Sequence, residues 1–497
     1  MSLGEKVFSS AFLLLIRKIW GNVINLVVMT FLARILSKED FGLLAISSVF
    51  LSIINTLATS GIAEYIVYYD GEDKHEKVNA AFWLNLLLTL AVIVVVIAVG
   101  PWWSAFYQNE KIYSLLLLLS VSFFFEMGST IPKTILRKEL EYKSLVYYSS
   151  ISMTMVSVGK LASAWAGFGV YSLALPQAIV SPFLMASFFI KTNWRPYARL
   201  GLAHFHSIFH YSKHIIGGRV LTKLVNEGDN LIVGKFIGLE GLGVYALAFQ
   251  LANLVTTNVV FLVNDIFLPL FSKVKGDVER IRKLYTRMIQ FLAFISFPLI
   301  TALSIAAEPI VYYIYGEKWM DVVLPFQILC LFTLGRSISS PSSSIYNALG
   351  RPEIGFNIAL VYTPVFLISV FFGSHYGVVG VAISTTIVRV IGSIVSLKVS
   401  LRLISYPVLQ FFESLKSNLY ITLLFIFFFV VNSIYNNSSA NYLDLLLIPL
   451  IPYLHLLCQR IFFLKSFVTL LTEAKEYIKF KLLYEFIRRF FFITNVR

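Results

Sequence analysis

A succession of roughly 14 apolar runs, each of helical length, occupies this chain from Phe8 to Phe463. They fall near Phe8–Leu36, Phe41–Tyr68, Asn79–Trp102, Ile112–Pro132, Leu145–Ala166, Val170–Ile190, Phe209–Ile237, Leu242–Phe271, Leu284–Ala306, Val322–Leu349, Gly355–Phe372, Gly377–Leu401, Leu419–Tyr435 and Leu443–Phe463. A helix needs about 20 apolar residues to cross a bilayer. The runs are continuous rather than alternating, which selects helices over the strands of a membrane barrel. Charged residues are 14% of the 497 and hydrophobic ones 58%, whereas soluble domains carry about 25% charged residues. The expected fold class is all-α and polytopic, with about 14 transmembrane helices.

The loops between runs alternate in charge. The second, fourth, sixth and eighth hold Lys74, Lys77, Lys133, Arg137, Lys138, Lys143, Lys191, Arg195, Arg199, Lys273, Lys275, Arg280, Arg282 and Lys283. The tenth and twelfth add Arg351, Arg402 and Lys416, while the odd loops hold Arg34, Lys38, Lys111, Lys235 and Lys318. Basic loops face the cytoplasm, so both termini are expected there. Most of the net charge of +14 is then topology, and no nucleic-acid partner is expected. Arg17 interrupts the first run and no small-residue cleavage site follows, so no removable signal is expected. Cys330 and Cys458 fall in apolar runs and offer neither a disulfide framework nor a metal spacing. In the last segment, 465–497, Phe467, Leu470, Leu471, Ala474, Ile478 and Leu482 recur at helical spacing against Lys475, Lys479 and Lys481. That pattern predicts a basic amphipathic tail on the inner leaflet.

A weak internal repeat appears at an offset of about 200 residues. FLARILSKEDFGLLAI, from Phe31, aligns with IVGKFIGLEGLGVYAL, from Ile232. Arg34 then falls on Lys235, Glu39 on Glu240, Gly42 on Gly243 and Ala45 on Ala246. The expected organisation is a six-helix lobe over 1–200 and a second over 201–403. Two additional helices over 404–464 and the tail follow. An even number of spans per copy keeps both in one orientation, related by a pseudo-twofold along the membrane normal. Repeats of this class favour a transporter that rocks between inward-open and outward-open states.

Within the runs sit charges that cost roughly 2.5–3.5 kcal/mol each at a bilayer centre. Span length places Arg17 and Lys18 near mid-membrane. The repeat sets Lys18 on Arg219, Asn22 on Lys223 and Asn25 on Asn226. Lys18, Asn22, Asn25 and Met29 share one helix face, as do Arg219, Lys223, Asn226 and Asn230. Lys160, Arg336 and Arg389 lie deep in later runs. Such charges avoid lipid and line hydrated cavities. The candidate substrate-binding residues are therefore the cations Lys18, Arg219, Lys223, Arg336 and Arg389, with Asn22, Asn25 and Asn226 as polar companions. A surplus of cations suits an anionic cargo, phosphate above all. The competing reading is structural: Arg219 or Lys223 pairs with Glu227 or Asp229. Asp229 and Asp265 are candidates for coupling to an ion, H+ or Na+. Arg17 has no counterpart in the repeat, since Gly218 stands at its equivalent position. The polar run SISSPSSSIYNALG, Ser337 to Gly350, fits either a cavity wall or a close helix contact.

Catalytic motifs are absent: no Walker loop, HExxH, GxSxG or paired-cysteine metal site occurs. No enzyme activity, metal or cofactor is expected. YDGEDKHEK, from Tyr69, reads as a solvated turn.

The stretches FLARILSKEDFGLLAI, GDNLIVGKFIGLEGLGVYALAFQLAN, IYNALGRPEIGF and GFGVYSLALPQAIV resemble the Wzx-type O-antigen and exopolysaccharide flippases. These belong to the multidrug/oligosaccharidyl-lipid/polysaccharide (MOP) exporter superfamily. The likeness weakens after about residue 401. It implies twelve core helices in two lobes, here with two more, and alternating access. It also implies an undecaprenyl-pyrophosphate-linked oligosaccharide as cargo, a bacterial or archaeal plasma membrane, and a polysaccharide polymerase in the same pathway. The family's basic cavity maps onto Lys18, Arg219, Lys223, Arg336 and Arg389 by position in the spans. Two alternatives are a cation-coupled drug exporter of the same superfamily, which needs cavity carboxylates, and a membrane glycosyltransferase or polymerase.

Overall fold

The structure is a computed structural model that describes residues 3–59, 74–198, 202–260, 277–351, 353–436 and 447–462, with 62, 65, 66, 271 and 274. Its regular elements are all helical among these residues. In chain order they are α1 Leu3–Ile35, α2 Lys38–Thr59, α3 Lys74–Phe106, α4 Lys111–Gly128, α5 Thr130–Lys138, α6 Tyr142–Trp165, α7 Leu175–Thr192 and α8 Leu202–Phe236. Then come α9 Leu239–Val255, α10 Val278–Ile305, α11 Val323–Ser339, α12 Ser342–Ala348, α13 Glu353–Ser374, α14 Gly377–Leu403, α15 Val408–Asn436 and α16 Leu447–Phe462. The expected tail and Asp265 lie outside the described residues.

Helix occupies every one of the apolar runs, and ten stretches are long and apolar enough to cross a membrane. α6, α8, α15 and α16 are outside that set. Charges crowd α8, and α16 has only 16 residues. The exposed face of α13 shows why water is the wrong solvent. Leu360, Val361, Val365, Ile368 and Phe372 are all exposed there, a surface that only lipid covers cheaply. Pro101, Pro182, Pro298, Pro364 and Pro452 lie inside helices. Pro176 and Pro341 instead stand at helix starts, where proline's missing N–H costs nothing.

One detail differs from the sequence reading. Helix continues past Pro132 as α5, so Lys133, Arg137 and Lys138 ride on a helix rather than in a loop. Within the described part of α1, Ile16–Ile35 is long and apolar enough to cross a membrane. The polar run from Ser337 is mostly packed: Ser337, Ser342 and Ser344 are buried, and the Ser342 hydroxyl lies 3.4 Å from that of Tyr285. Small residues here let helices approach closely.

The chain forms two compact units, Met1–Ala246 with Val370–Val381, and Leu247–Ser369 with Ala382–Arg497. In the first, α1 packs on α6, α4 on α3 and α7, and α8 on α2 and α3. In the second, α10 is the central helix and packs on α11, α15 and α16. Its buried face runs through Ile281, Leu284, Tyr285, Met288 and Leu292, and Asp277 caps it by accepting from the Arg280 N–H at 3.0 Å.

In the first unit Trp83 Nε1 of α3 donates to the Tyr197 carbonyl at 2.9 Å, and Tyr197 N–H donates to Asn79 Oδ1, also of α3, at 3.0 Å. At the other end of α3, Asn109 Nδ2 donates to Glu39 Oε1 at 2.9 Å and Lys235 Nζ to the Phe106 carbonyl at 2.7 Å. The two copies of the repeat also touch there. A side chain on Gly42 would strike the Leu239 carbonyl, and one on Gly243 would strike the Lys38 carbonyl. At the repeat offset these are the same contact read in both directions. Glycine is required because the partner is backbone, which cannot move aside.

Candidate functional site: cations in the helix bundle

In the first unit the predicted α1 stripe stands clear of the packed face. Gly21, Val28 and Leu32 are buried, and a side chain on Gly21 would meet the Met153 sulfur of α6. Lys18 is half-buried, while Asn22 and Asn25 are exposed. On α8 the alternative reading holds for Lys223, whose Nζ pairs with Glu227 Oε1 at 3.5 Å, both side chains partly open. Asn230 Nδ2 donates to the other oxygen of Glu227 at 3.3 Å. Asp229 is only 1% exposed. It accepts from the Tyr245 hydroxyl at 2.9 Å and from the Asn230 N–H at 3.0 Å. Arg219 is exposed and Asn226 half-buried. Lys160 is half-buried on α6.

The second unit holds a different arrangement around Arg389 of α14, which is 7% exposed. Its guanidinium lies over three rings: Phe249 of α9 at 5.1 Å, Phe332 of α11 at 5.2 Å and Phe366 of α13 at 4.8 Å. One turn along each of those helices stands a polar group. Asn253 Oδ1 accepts from Arg336 Nη1 at 2.9 Å, and the Asn253 amide in turn donates to the Phe249 carbonyl at 2.9 Å. Arg336 follows Phe332, and Tyr362 precedes Phe366, whose ring it stacks on at 5.9 Å. Arg336 lies within electrostatic reach of both Arg389 and Tyr362. Close approach of α11 to α14 holds the two arginines together: a methyl group on Gly335 would rest 3.7 Å from Ser393.

The structure thus groups Arg336 with Arg389, two of the predicted cations. It adds Asn253, Phe249, Phe332, Phe366 and Tyr362, which sequence reasoning missed. Their signal was an aromatic and a polar residue at i, i+4 on each of three helices, a pattern visible only once Arg389 is known to be their common partner. Cation–π contacts are worth about 2 kcal/mol or more each when desolvated. They lower the cost of burying a guanidinium, the group that binds anions such as phosphate bidentately. Among the described residues no group of three or more His, Cys, Asp or Glu could hold a metal ion.

Comparison with known proteins places this geometry in context. The Escherichia coli K12 lipopolysaccharide biosynthesis protein WzxC is 26% identical over 405 residues, covering 80% of this chain and 81% of that protein. The succinoglycan biosynthesis transport protein ExoT of Rhizobium meliloti is 23% identical over 323 residues, covering 65% of this chain and 64% of its own length. Among solved structures, the inward closed conformation of the lipid II flippase MurJ superposes with a TM-score of 0.70 at 19% identity. That likeness covers 90% of this chain and 98% of that one, and it shows a shared fold. The family model for polysaccharide biosynthesis proteins matches residues 31–324, more than half of the sequence, and the chain belongs to that family.

Proposed function

We propose that this chain is a flippase that moves undecaprenyl-pyrophosphate-linked oligosaccharide repeat units from the cytoplasmic to the outer leaflet by alternating access. The product would feed O-antigen, capsule or exopolysaccharide assembly, with a polysaccharide polymerase as the next component. The reading includes fourteen spans with both termini cytoplasmic in a bacterial or archaeal plasma membrane. It also takes Lys18, Arg219, Lys223, Arg336 and Arg389 as cations of a central cavity. The observation that carries it is the Arg336 and Arg389 pair, two cations within electrostatic reach of each other among apolar helices. Two phosphates crossing bare hydrocarbon would forfeit hydration worth tens of kcal/mol. Guanidinium groups fixed along the route replace that hydration with charge-assisted hydrogen bonds. Family membership supports the polysaccharide part of the reading. Asp229, sealed and accepting on both oxygens, serves as an anchor between α8 and α9 rather than as an ion carrier.

The test is complementation of a flippase-deficient host. Arg336→Ala and Arg389→Ala should each abolish polysaccharide display while membrane insertion is retained. Normal display in the two arginine variants would overturn the assignment.

A further inference from the structure

Arg17 takes no part in the reading above, yet it is one of two charges that break the first apolar run. In the first unit it joins a second cationic group. Three residues before it, Leu14 packs against the buried cluster of Leu136, Leu145 and Phe188. Leu136 adjoins Arg137 at the end of α5, and Lys133 Nζ sits 5.4 Å over the Phe188 ring. Arg17 and Lys133 are half-buried and Arg137 exposed. Each of the three lies within electrostatic reach of another: Arg17 of Arg137, and Lys133 of both. The carboxylate that acts on Lys133 is Glu126, itself exposed on α4. None of the three cations forms an ion pair within 4 Å among the described residues, in contrast to Lys223.

Depth defines the ligand. Lys133 and Arg137 end the apolar stretch Lys111–Lys138, and the packing of Leu14 on Leu136 sets Arg17 at the same level. In the proposed topology the fourth connection leaves the membrane there, at the level of headgroups. Side chains at this level reach the interface with their charged ends, and basic pockets between helices on the cytoplasmic side hold phosphate headgroups.

We infer that Arg17, Lys133 and Arg137 form a binding site for a lipid-borne phosphate at the cytoplasmic edge of the membrane, separate from the Arg336 and Arg389 pair. The phosphate chemistry is common to two sources, the arriving polyprenyl carrier and a resident anionic phospholipid. The assignment to the cytoplasmic edge rests on the proposed orientation; the site itself does not depend on the cargo.

Native mass spectrometry of the purified full chain, titrated separately with undecaprenyl phosphate and with phosphatidylglycerol in a phosphatidylcholine background, tests this. Arg137→Gln and Arg17→Gln should each weaken phosphate-lipid association roughly ten-fold, as loss of one charge-assisted hydrogen bond implies. Arg280→Gln, at the exposed start of α10 where Arg280 pairs with Asp277, should leave it unchanged. Preferential retention of undecaprenyl phosphate assigns the site to the carrier, and equal retention assigns it to resident phospholipid. Arg137 is exposed and its variant should fold even where Arg17→Gln does not. Unaltered association of both lipids in Arg137→Gln overturns the proposal, whatever the export assay shows.

Discussion

The cations of the two units are made tolerable by different chemistry. On α8, Lys223 has a carboxylate partner in Glu227, and the adjacent Asp229 is held by the Tyr245 hydroxyl. In the second unit Arg389 has three phenyl rings, and Arg336 has the amide oxygen of Asn253. A carboxylate cancels a cation's field. A ring quadrupole and an amide dipole lower the cost of burial but leave the net charge in place. The contacts described for Arg336 and Arg389 are thus to neutral groups, whereas the α8 network sets a carboxylate against its lysine. This explains why similar residue types, read from sequence as one set, need not contribute equally.

That contrast can be broken experimentally. The largest effect belongs to the ring-held pair: Arg336→Ala or Arg389→Ala should cut transport of lipid-linked oligosaccharide into proteoliposomes by about 100-fold, the loss of one strong charge-assisted contact. Arg389→Lys should restore little of it, since an ammonium lacks the planar face that stacks on rings. Next, Asn253→Asp converts the second unit's chemistry into that of α8, placing a carboxylate against Arg336. Transport should fall roughly ten-fold, and wild-type rates in this variant would show that cancellation does not matter. Tyr245→Phe strips a donor from buried Asp229 and should cost about 1–3 kcal/mol of stability. It should lower the melting temperature in detergent and leave transport per folded molecule intact. The smallest change is expected from Glu227→Gln. Partly open ion pairs are worth about 0–1 kcal/mol, so transport should stay within a few-fold of wild type.

Much of the helical layout was legible because hydropathy is a local property. The apolar runs and the helices coincide, and the repeat drawn from Gly42 and Gly243 is matched by reciprocal contacts at those two residues. The setting of Arg17 was beyond the reach of counting, since its proximity to Arg137 depends on how Leu14 packs against Leu136. Lys223 illustrates the converse. Its stripe and its structural pairing with Glu227 were both readable from i, i+4 spacing, and only coordinates showed that the pairing forms.

Local chemistry along the chain determined the solvent, the helices, the repeat and the rough inventory of buried cations, because each depends on residues within a turn or on composition. Which cation meets which partner was decided only by tertiary packing. Phe249, Phe332 and Phe366 come from three helices spread over more than a hundred residues and converge on Arg389. No periodicity within a single helix encodes that meeting, since it arises from how neighbouring helices close on one another.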